Sequence, residues 1–308
     1  MKVTVTGGLG FLGRLLARRL AQDGWSVTLF DQPGPAAQEG SSTVRGEVTD
    51  AAAVSAAIPA ETDLVVHLAS MVSAECELDF DRAFQVNVSG LRVVLDRCRQ
   101  LPRPPTFLFA SSVAVFGGAE SGVGDQTKQS PTTTYGVTKA IGELLVSEYT
   151  RKGFIDGRTA RLPTVIIRPG RPNAAASSFA SGLFREPLNG ERSIVPVAAT
   201  TPMVLIGHRA AISGLARLAT LQSGELGADR AIGLPGLEVT VQDMISVARS
   251  RPETTGSIEV RPDAAIEAVV GSWPGRWDAS QGRALGLAAD ESLHSIVEDY
   301  LSDFATRH

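Results

Sequence analysis

The stretch that most limits what this chain can become lies at its N-terminus. Val3-Thr4-Val5-Thr6 is a β-branched run suited to a buried strand. Gly7-Gly8-Leu9-Gly10-Phe11-Leu12-Gly13 follows, and Leu15, Leu16, Ala17 and Leu20 then recur at helical spacing. A G-x-x-G-x-x-G turn between a strand and a helix can cradle a dinucleotide pyrophosphate. Gly7 permits the tight turn, Gly10 lets phosphate approach the backbone, and Gly13 lets the helix pack close to the sheet. The helix N-terminus then faces the phosphates. Phe11 and Leu12 sit inside the same loop and are expected cofactor contacts. An ordinary strand-to-helix turn also carries glycines, but here strand, helix and N-terminal position agree.

The second strand, Ser26-Val27-Thr28-Leu29-Phe30, ends at Asp31. A carboxylate there accepts hydrogen bonds from the adenosine ribose hydroxyls and repels the 2′-phosphate of NADP. Gln32-Pro33-Gly34 follows with no immediate Arg, so NAD is the expected cofactor. A polar loop runs from Pro33 to Ser42, and residues 43–50 read as a third strand entering a helix cap at Asp50. Glu47 and Val48 are placed to border an adenine. Leu64-Val65-Val66-His67-Leu68-Ala69 is nearly all apolar, as central parallel strands are. His67 within it reads as a core histidine. Leu68, Ala69, Ser70 and Ser73 lie at or past its C-terminal end, the edge where open α/β sheets bind ligands. Phe80 to Arg99 has helical periodicity in Phe84, Val88, Leu91 and Leu95, interrupted by Asn87, which needs polar partners near the cofactor. Strand Thr106 to Ala110 ends in Ser111-Ser112 at the same edge.

Tyr135 and Lys139 stand four residues apart at the start of a helical segment, hence on one face. A phenol is a poor base near neutrality, since its ordinary pKa is about 10. A nearby ammonium favours the phenolate, and the pair can then take a proton from an alcohol. Alone, Y-x-x-x-K is common on surface helices. It carries weight here because a nucleotide site and a serine precede it.

The chain has 308 residues, 43% hydrophobic and 20% charged, enough for one large α/β unit with a smaller lobe. A formal net charge of −4 gives no basic footprint for nucleic acid. His67, His208, His294 and His308 are scattered, and Cys76 and Cys98 form no C-x-x-C, so no metal site and no disulfide is expected. The first residues enter a strand directly, with no leader or membrane-spanning run; a cytoplasmic location follows as an expectation.

Gly7/Gly10/Gly13, Asp31, His67-Leu68-Ala69, Asn87, Ser112 and Tyr135/Lys139 together resemble the extended short-chain dehydrogenase/reductase superfamily, which includes nucleotide-sugar epimerases and dehydratases. The resemblance implies a Rossmann-type doubly wound parallel sheet over residues 1–170, with parts of 203–235 returning to it. It also implies a smaller C-terminal substrate lobe over 171–308. By motif, Ser112 takes the catalytic serine position and Ser111 is structural. The resemblance further implies a homodimer built on the helix with Phe84 to Leu95 and the Tyr135 helix; Val93, Val94, Ile141, Leu144 and Leu145 are candidates for that face.

Arg161 to Gly170 reads as a strand closing at Pro169-Gly170, and Pro169 is the last expected cofactor contact. The small, polar run from Arg171 to Gly182, with Gly271-Ser272-Trp273-Pro274-Gly275-Arg276, resembles a narrower family, the NAD-dependent D-erythronate dehydrogenases, which oxidise a four-carbon sugar acid at C2. That family usually has Lys where this chain has Arg171. An acid substrate needs a cation, and Arg suits bidentate carboxylate binding. Arg171 or Arg185 is favoured over Arg168, which can instead close the strand. Ser73, Ser112, Tyr135, Asn173 and Ser177 complete the expected substrate contacts. Trp273 and Trp277 read as lobe core, and the last helix as Glu291 to Phe304.

The reaction implied is oxidation of D-erythronate, with Tyr135 as base, Ser112 orienting the hydroxyl and Lys139 holding the nicotinamide ribose. Two rivals stand beside it. One is an NAD-dependent nucleotide-sugar epimerase or dehydratase. The other is a non-catalytic NAD-sensing protein, against which the intact Ser112/Tyr135/Lys139 set argues.

Overall fold

The protein is described by a computed structural model over residues 1–34, 40–117, 122–172 and 175–304. In chain order come β1 (Lys2–Thr6), α1 (Phe11–Gln22), β2 (Ser26–Asp31), β3 (Ser41–Arg45), α2 (Ala51–Ala57), β4 (Leu64–His67), α3 (Ser73–Leu78), α4 (Phe80–Phe84), a π-helical turn (Gln85–Gly90), α5 (Leu91–Arg99) and β5 (Thr106–Ser112). Then follow β6 (Val123–Gly124), α6 (Thr134–Arg151), β7 (Asp156–Leu162), β8 (Thr164–Ile166), α7 (Ser178–Leu188), β9 (Arg192–Val195), β10 (Pro202–Gly207), α8 (His208–Thr220) and β11 (Ala231–Gly233). Last are β12 (Leu237–Thr240), α9 (Val241–Ser250), β13 (Ser257–Val260), α10 (Ala264–Val270), β14 (Trp277–Asp278), α11 (Ser280–Ala284) and α12 (Leu293–Phe304).

Seven strands form one parallel sheet in the order β3-β2-β1-β4-β5-β7-β11, a Rossmann-type doubly wound arrangement. Strand order reverses between β1 and β4, which opens a crevice at their C-terminal ends. The apolar residues of β1 and β4 are buried on both sides because helices cover both faces. Val3, Val5, Leu64 and Val66 meet α1 and α8 through Leu16, Leu20 and Leu215. Val65, Phe107 and Phe109 meet α2, α5 and α6 through Val54, Leu95 and Val146. A second core gathers β8, β10, β12, α7, α9 and α12, with Leu183, Phe184, Leu205, Met244 and Ile296 at its centre.

Two elements differ from the sequence expectation. β3 stops at Arg45, and Gly46 follows where a side chain would meet the Ala53 Cβ at 2.5 Å and the Phe30 ring at 3.1 Å. The chain must turn there before Asp50 caps α2 by accepting the Ala52 and Ala53 N–H groups. The expected single helix from Phe80 to Arg99 is broken by the π turn, which shifts the buried phase. Ala83, Asn87, Gly90, Leu91, Val94 and Leu95 face inward, while Phe84 and Val88 are only partly covered.

Beneath the sheet edge lies a buried charged cluster. Glu143 of α6 accepts from Ser111 Oγ (2.6 Å), Arg161 Nη2 (2.8 Å) and Gln129 Nε2 (2.5 Å). Arg161 Nη1 donates to the Asp125 carbonyl. Glu143 and Arg161 are 6% and 5% exposed, so removing one leaves an uncompensated buried charge. Glu143→Ala is expected to cost about 3–5 kcal/mol, read by denaturant unfolding; a loss under about 1 kcal/mol, the level of a surface pair, would count against this reading.

Candidate active site

The crevice at the sheet's switch point holds a cavity of about 370 Å³. Gly7, Gly10, Phe11, Leu12 and Gly13 form one wall, and Ser112, Tyr135 and Lys139 another. Leu68, Ser70 and Ser73 lie between them, and Arg168, Ser177 and Trp273 close the lobe side.

The glycine wall is shaped for something that must touch backbone. Gly7 has φ +67°, and a Cβ on it would stand 2.7 Å from the Ala69 nitrogen. A Cβ on Gly13 would stand 2.4 Å from the Gly7 carbonyl oxygen. No side chain caps α1, so its N-terminus faces the crevice as an anion site. Asp31 lies behind the loop, accepting the Leu9 N–H (2.8 Å) and the Gln32 N–H (2.8 Å). These features fit a dinucleotide.

Asn87 joins the loop after β4 to α6, the helix of Tyr135 and Lys139. Its Oδ1 accepts from the Met71 N–H (2.8 Å) and Ser70 Oγ (3.1 Å). Its Nδ2 faces Thr138 Oγ1 of α6 at 3.1 Å and the Met71 carbonyl at 3.3 Å. Ser112 ends β5, and its Oγ accepts the Ala114 N–H, whereas Ser111 points away to Glu143. Thr133 caps α6 through the Gly136 N–H, starting the helix just ahead of Tyr135.

The electrostatics correct one expectation. The Tyr135 phenol is held up, not down, in this arrangement. Burial holds that phenol above its ordinary range, Cys76 adds to this, and Ser112 opposes it. Lys139 Nζ donates to the Ala110 carbonyl at 2.9 Å and lies 5.5 Å from the Tyr135 ring centroid. Burial lowers Lys139 to about 8. His67 lies below the site, its Nδ1 hydrogen-bonded to Thr6 Oγ1, and burial, helped by Lys139, lowers it to about 3. It is a neutral core residue there.

The expected substrate cations are also corrected. Arg185 does not face the cavity: it is 4% exposed, donates to the Arg168 carbonyl (2.8 Å) and pairs with Glu186 (2.5 Å). Arg171 is exposed and does not line the cavity. Arg168 does line it, and its guanidinium has no carboxylate partner among the described residues. Trp273, read as lobe core, is part of the cavity wall; Trp277 is core, donating from Nε1 to the Leu234 carbonyl. Glu47 pairs with Arg82 (3.1 Å), Val48 packs beside Gly90, and neither they nor Pro169 and Ala69 line the cavity. Asn173 lies outside the described residues. The Arg168 signal was present in the sequence. It is a charge at the C-terminal edge of the apolar run Val165-Ile166-Ile167, the edge logic that marked Ser111-Ser112. No group of three or more potential metal ligands occurs among the described residues, and no helix there is long and apolar enough to cross a membrane.

Residues 3–207 match the model of the NAD dependent epimerase/dehydratase family. The chain is 43% identical to D-erythronate dehydrogenase of Cupriavidus necator, over 98% of this chain and 98% of that protein. It is 37% identical to D-erythronate dehydrogenase of Haemophilus influenzae, over 98% and 99%. Among solved structures, a nucleoside-diphosphate-sugar epimerase from Agrobacterium tumefaciens superposes with a TM-score of 0.90, at 34% identity, over 99% of this chain and 94% of that one.

The lowered Lys139 pKa has a consequence for stability. The unfolded chain keeps this amine protonated up to its ordinary 10.5, the folded chain only to about 8. Between these values the unfolded state holds more protons, so this group's contribution to stability rises with pH. Ligand-free protein is expected to gain stability relative to Lys139→Met as pH rises from about 8 towards 10. Parallel unfolding-midpoint curves for the two proteins would refute the burial of a charged amine.

Proposed function

The chain belongs to the NAD dependent epimerase/dehydratase family and is a nicotinamide-dependent dehydrogenase, and we propose that it uses NAD to oxidise the C2 hydroxyl of D-erythronate. The observation that carries this reading is one small cavity bounded by the phosphate cradle, by Ser112, Tyr135 and Lys139, and by Arg168, which has no carboxylate partner among the described residues. A volume of about 370 Å³ suits a nicotinamide end with a small acid better than one with a whole nucleotide sugar. Full-length identity of 43% to a D-erythronate dehydrogenase supports the same choice.

NAD supplies the hydride acceptor; the chain supplies position and proton transfer. Ser112 at the end of β5 orients the C2 hydroxyl. Tyr135 receives its proton. Burial opposes ionisation of that phenol, so a cation must favour the phenolate, and Lys139 is the ammonium nearest it. Lys139 has three donors and one is committed to the Ala110 carbonyl, leaving two for the phenolate side and a ribose hydroxyl. Asp31, beside the glycine loop, makes NAD the expected cofactor over NADP, which a comparison of kcat/KM for the two cofactors tests.

We also read the protein as a cytoplasmic homodimer. Cys76 and Cys98 are buried free thiols, which suits a reducing compartment. Leu78, Phe80 and Leu144 are 86%, 58% and 66% exposed on α3, α4 and α6, and pairing with a second copy would cover them. Sedimentation as a monomer at micromolar concentration would remove that reading.

The 34% identity to a nucleoside-diphosphate-sugar epimerase keeps one alternative in view. NADH formation should appear with D-erythronate and not with nucleotide sugars; the reverse outcome would transfer the protein to the epimerases. A sensor would bind NAD and turn over neither. Tyr135→Phe should lower the oxidation rate by about 10²–10⁴-fold while NAD binding, followed by calorimetry, survives. Activity kept near that of the parent would place the base elsewhere.

A further inference from the structure

The cavity contains a cation, Arg168, that has no carboxylate partner among the described residues. Arg168 follows β8 at the lobe side of the cavity, half-buried. Burial lowers its affinity for protons, and the like charge of Arg185 adds to this, so the site favours an incoming anion. Its backbone is fixed by α7 on both sides. The Arg168 N–H donates to Ser181 Oγ at 3.0 Å, and the Arg168 carbonyl accepts from Arg185 Nη1 at 2.8 Å. Ser181 and Arg185 are both 4% exposed, so this clamp is part of the lobe core. Arg185 is itself paired with Glu186. Trp273 lines the same cavity, and its buried Nε1–H has no hydrogen-bond partner among the described residues.

We propose that Arg168 is the specificity-determining residue that binds the substrate carboxylate, with Arg185 as the residue that positions it from α7. This rests on the sugar-acid reading above and names the group that recognises the acid. A planar guanidinium can take both carboxylate oxygens. With the acid held at the lobe side, the neighbouring C2 hydroxyl is directed towards Ser112 and Tyr135.

The test uses the NAD-loaded enzyme with two substrates that share the C2 hydroxyl, D-erythronate and its uncharged amide. Arg168→Met should raise KM for D-erythronate roughly tenfold to a hundredfold, the loss of a charge-assisted contact, with kcat changed less. KM for the amide should hardly move. Arg168→Lys should recover part of the loss, since it keeps the charge and loses the fork. Arg185→Lys, which keeps the buried charge beside Glu186, should raise KM for the acid through misplacement of Arg168. If KM for both substrates rises equally, or neither rises, Arg168 does not read the carboxylate.

Calorimetric titration of D-erythronate into the NADH complex separates this from the substrate assignment. Binding that depends on Arg168 without turnover would overturn D-erythronate as substrate and keep the acid subsite. No binding and no turnover would overturn both.

Discussion

The Asn87 amide is the interaction on which the site's geometry hangs. It sits in a π turn, where one extra residue per turn carries a polar side chain into a helix face that periodicity alone would leave to Phe84 and Val88. Its oxygen fixes the Ser70–Met71 loop after β4, and its nitrogen reaches Thr138, one residue before Lys139. The glycine-loop side and α6 are thereby tied through one buried amide. A buried amide with unmatched groups would cost free energy, so these partners hold one another in a single arrangement.

A second constraint runs along α6. Tyr135, Lys139 and Glu143 are spaced by four and share one helical face. Glu143 favours the charged form of Lys139 from below while burial opposes it. Glu143 is itself held by Arg161 of β7 and by Ser111 of β5. Successive residues of a strand point to opposite faces. Ser111 therefore anchors the helix from the interior while Ser112 faces the cavity, and two adjacent serines do different work.

The ligand-free site is electrostatically incomplete. Burial keeps the Tyr135 phenol neutral and draws Lys139 down to about 8, and Arg168 faces no carboxylate among the described residues. Each group is disfavoured in the form that the chemistry needs. On the proposed reading, an acid at Arg168 and a ribose at Lys139 would supply what these groups lack. Charges aligned in a low-dielectric cavity interact more strongly than in water, which is where preorganised sites derive their effect.

What the sequence by itself determined was everything contained within one element or one turn. The glycine spacing at 7, 10 and 13, the carboxylate at the end of β2, the serine at the end of β5 and the Tyr135–Lys139 pair follow from strand and helix periodicity. The resemblance to a known superfamily rested on those same local patterns. Tertiary structure decided what depends on how elements pack. Arg168 and Arg185 are equally basic in the sequence. Only the docking of α7 against the end of β8 turns Arg185 into a backbone clamp and leaves Arg168 at the cavity. Periodicity could not foresee the π turn, whose Gly90 sits where a side chain would stand 2.6 Å from Val48, a residue remote in sequence. The Tyr135 and Lys139 pKa values are likewise not local properties, since they are governed by burial, which is contributed by side chains distant along the chain.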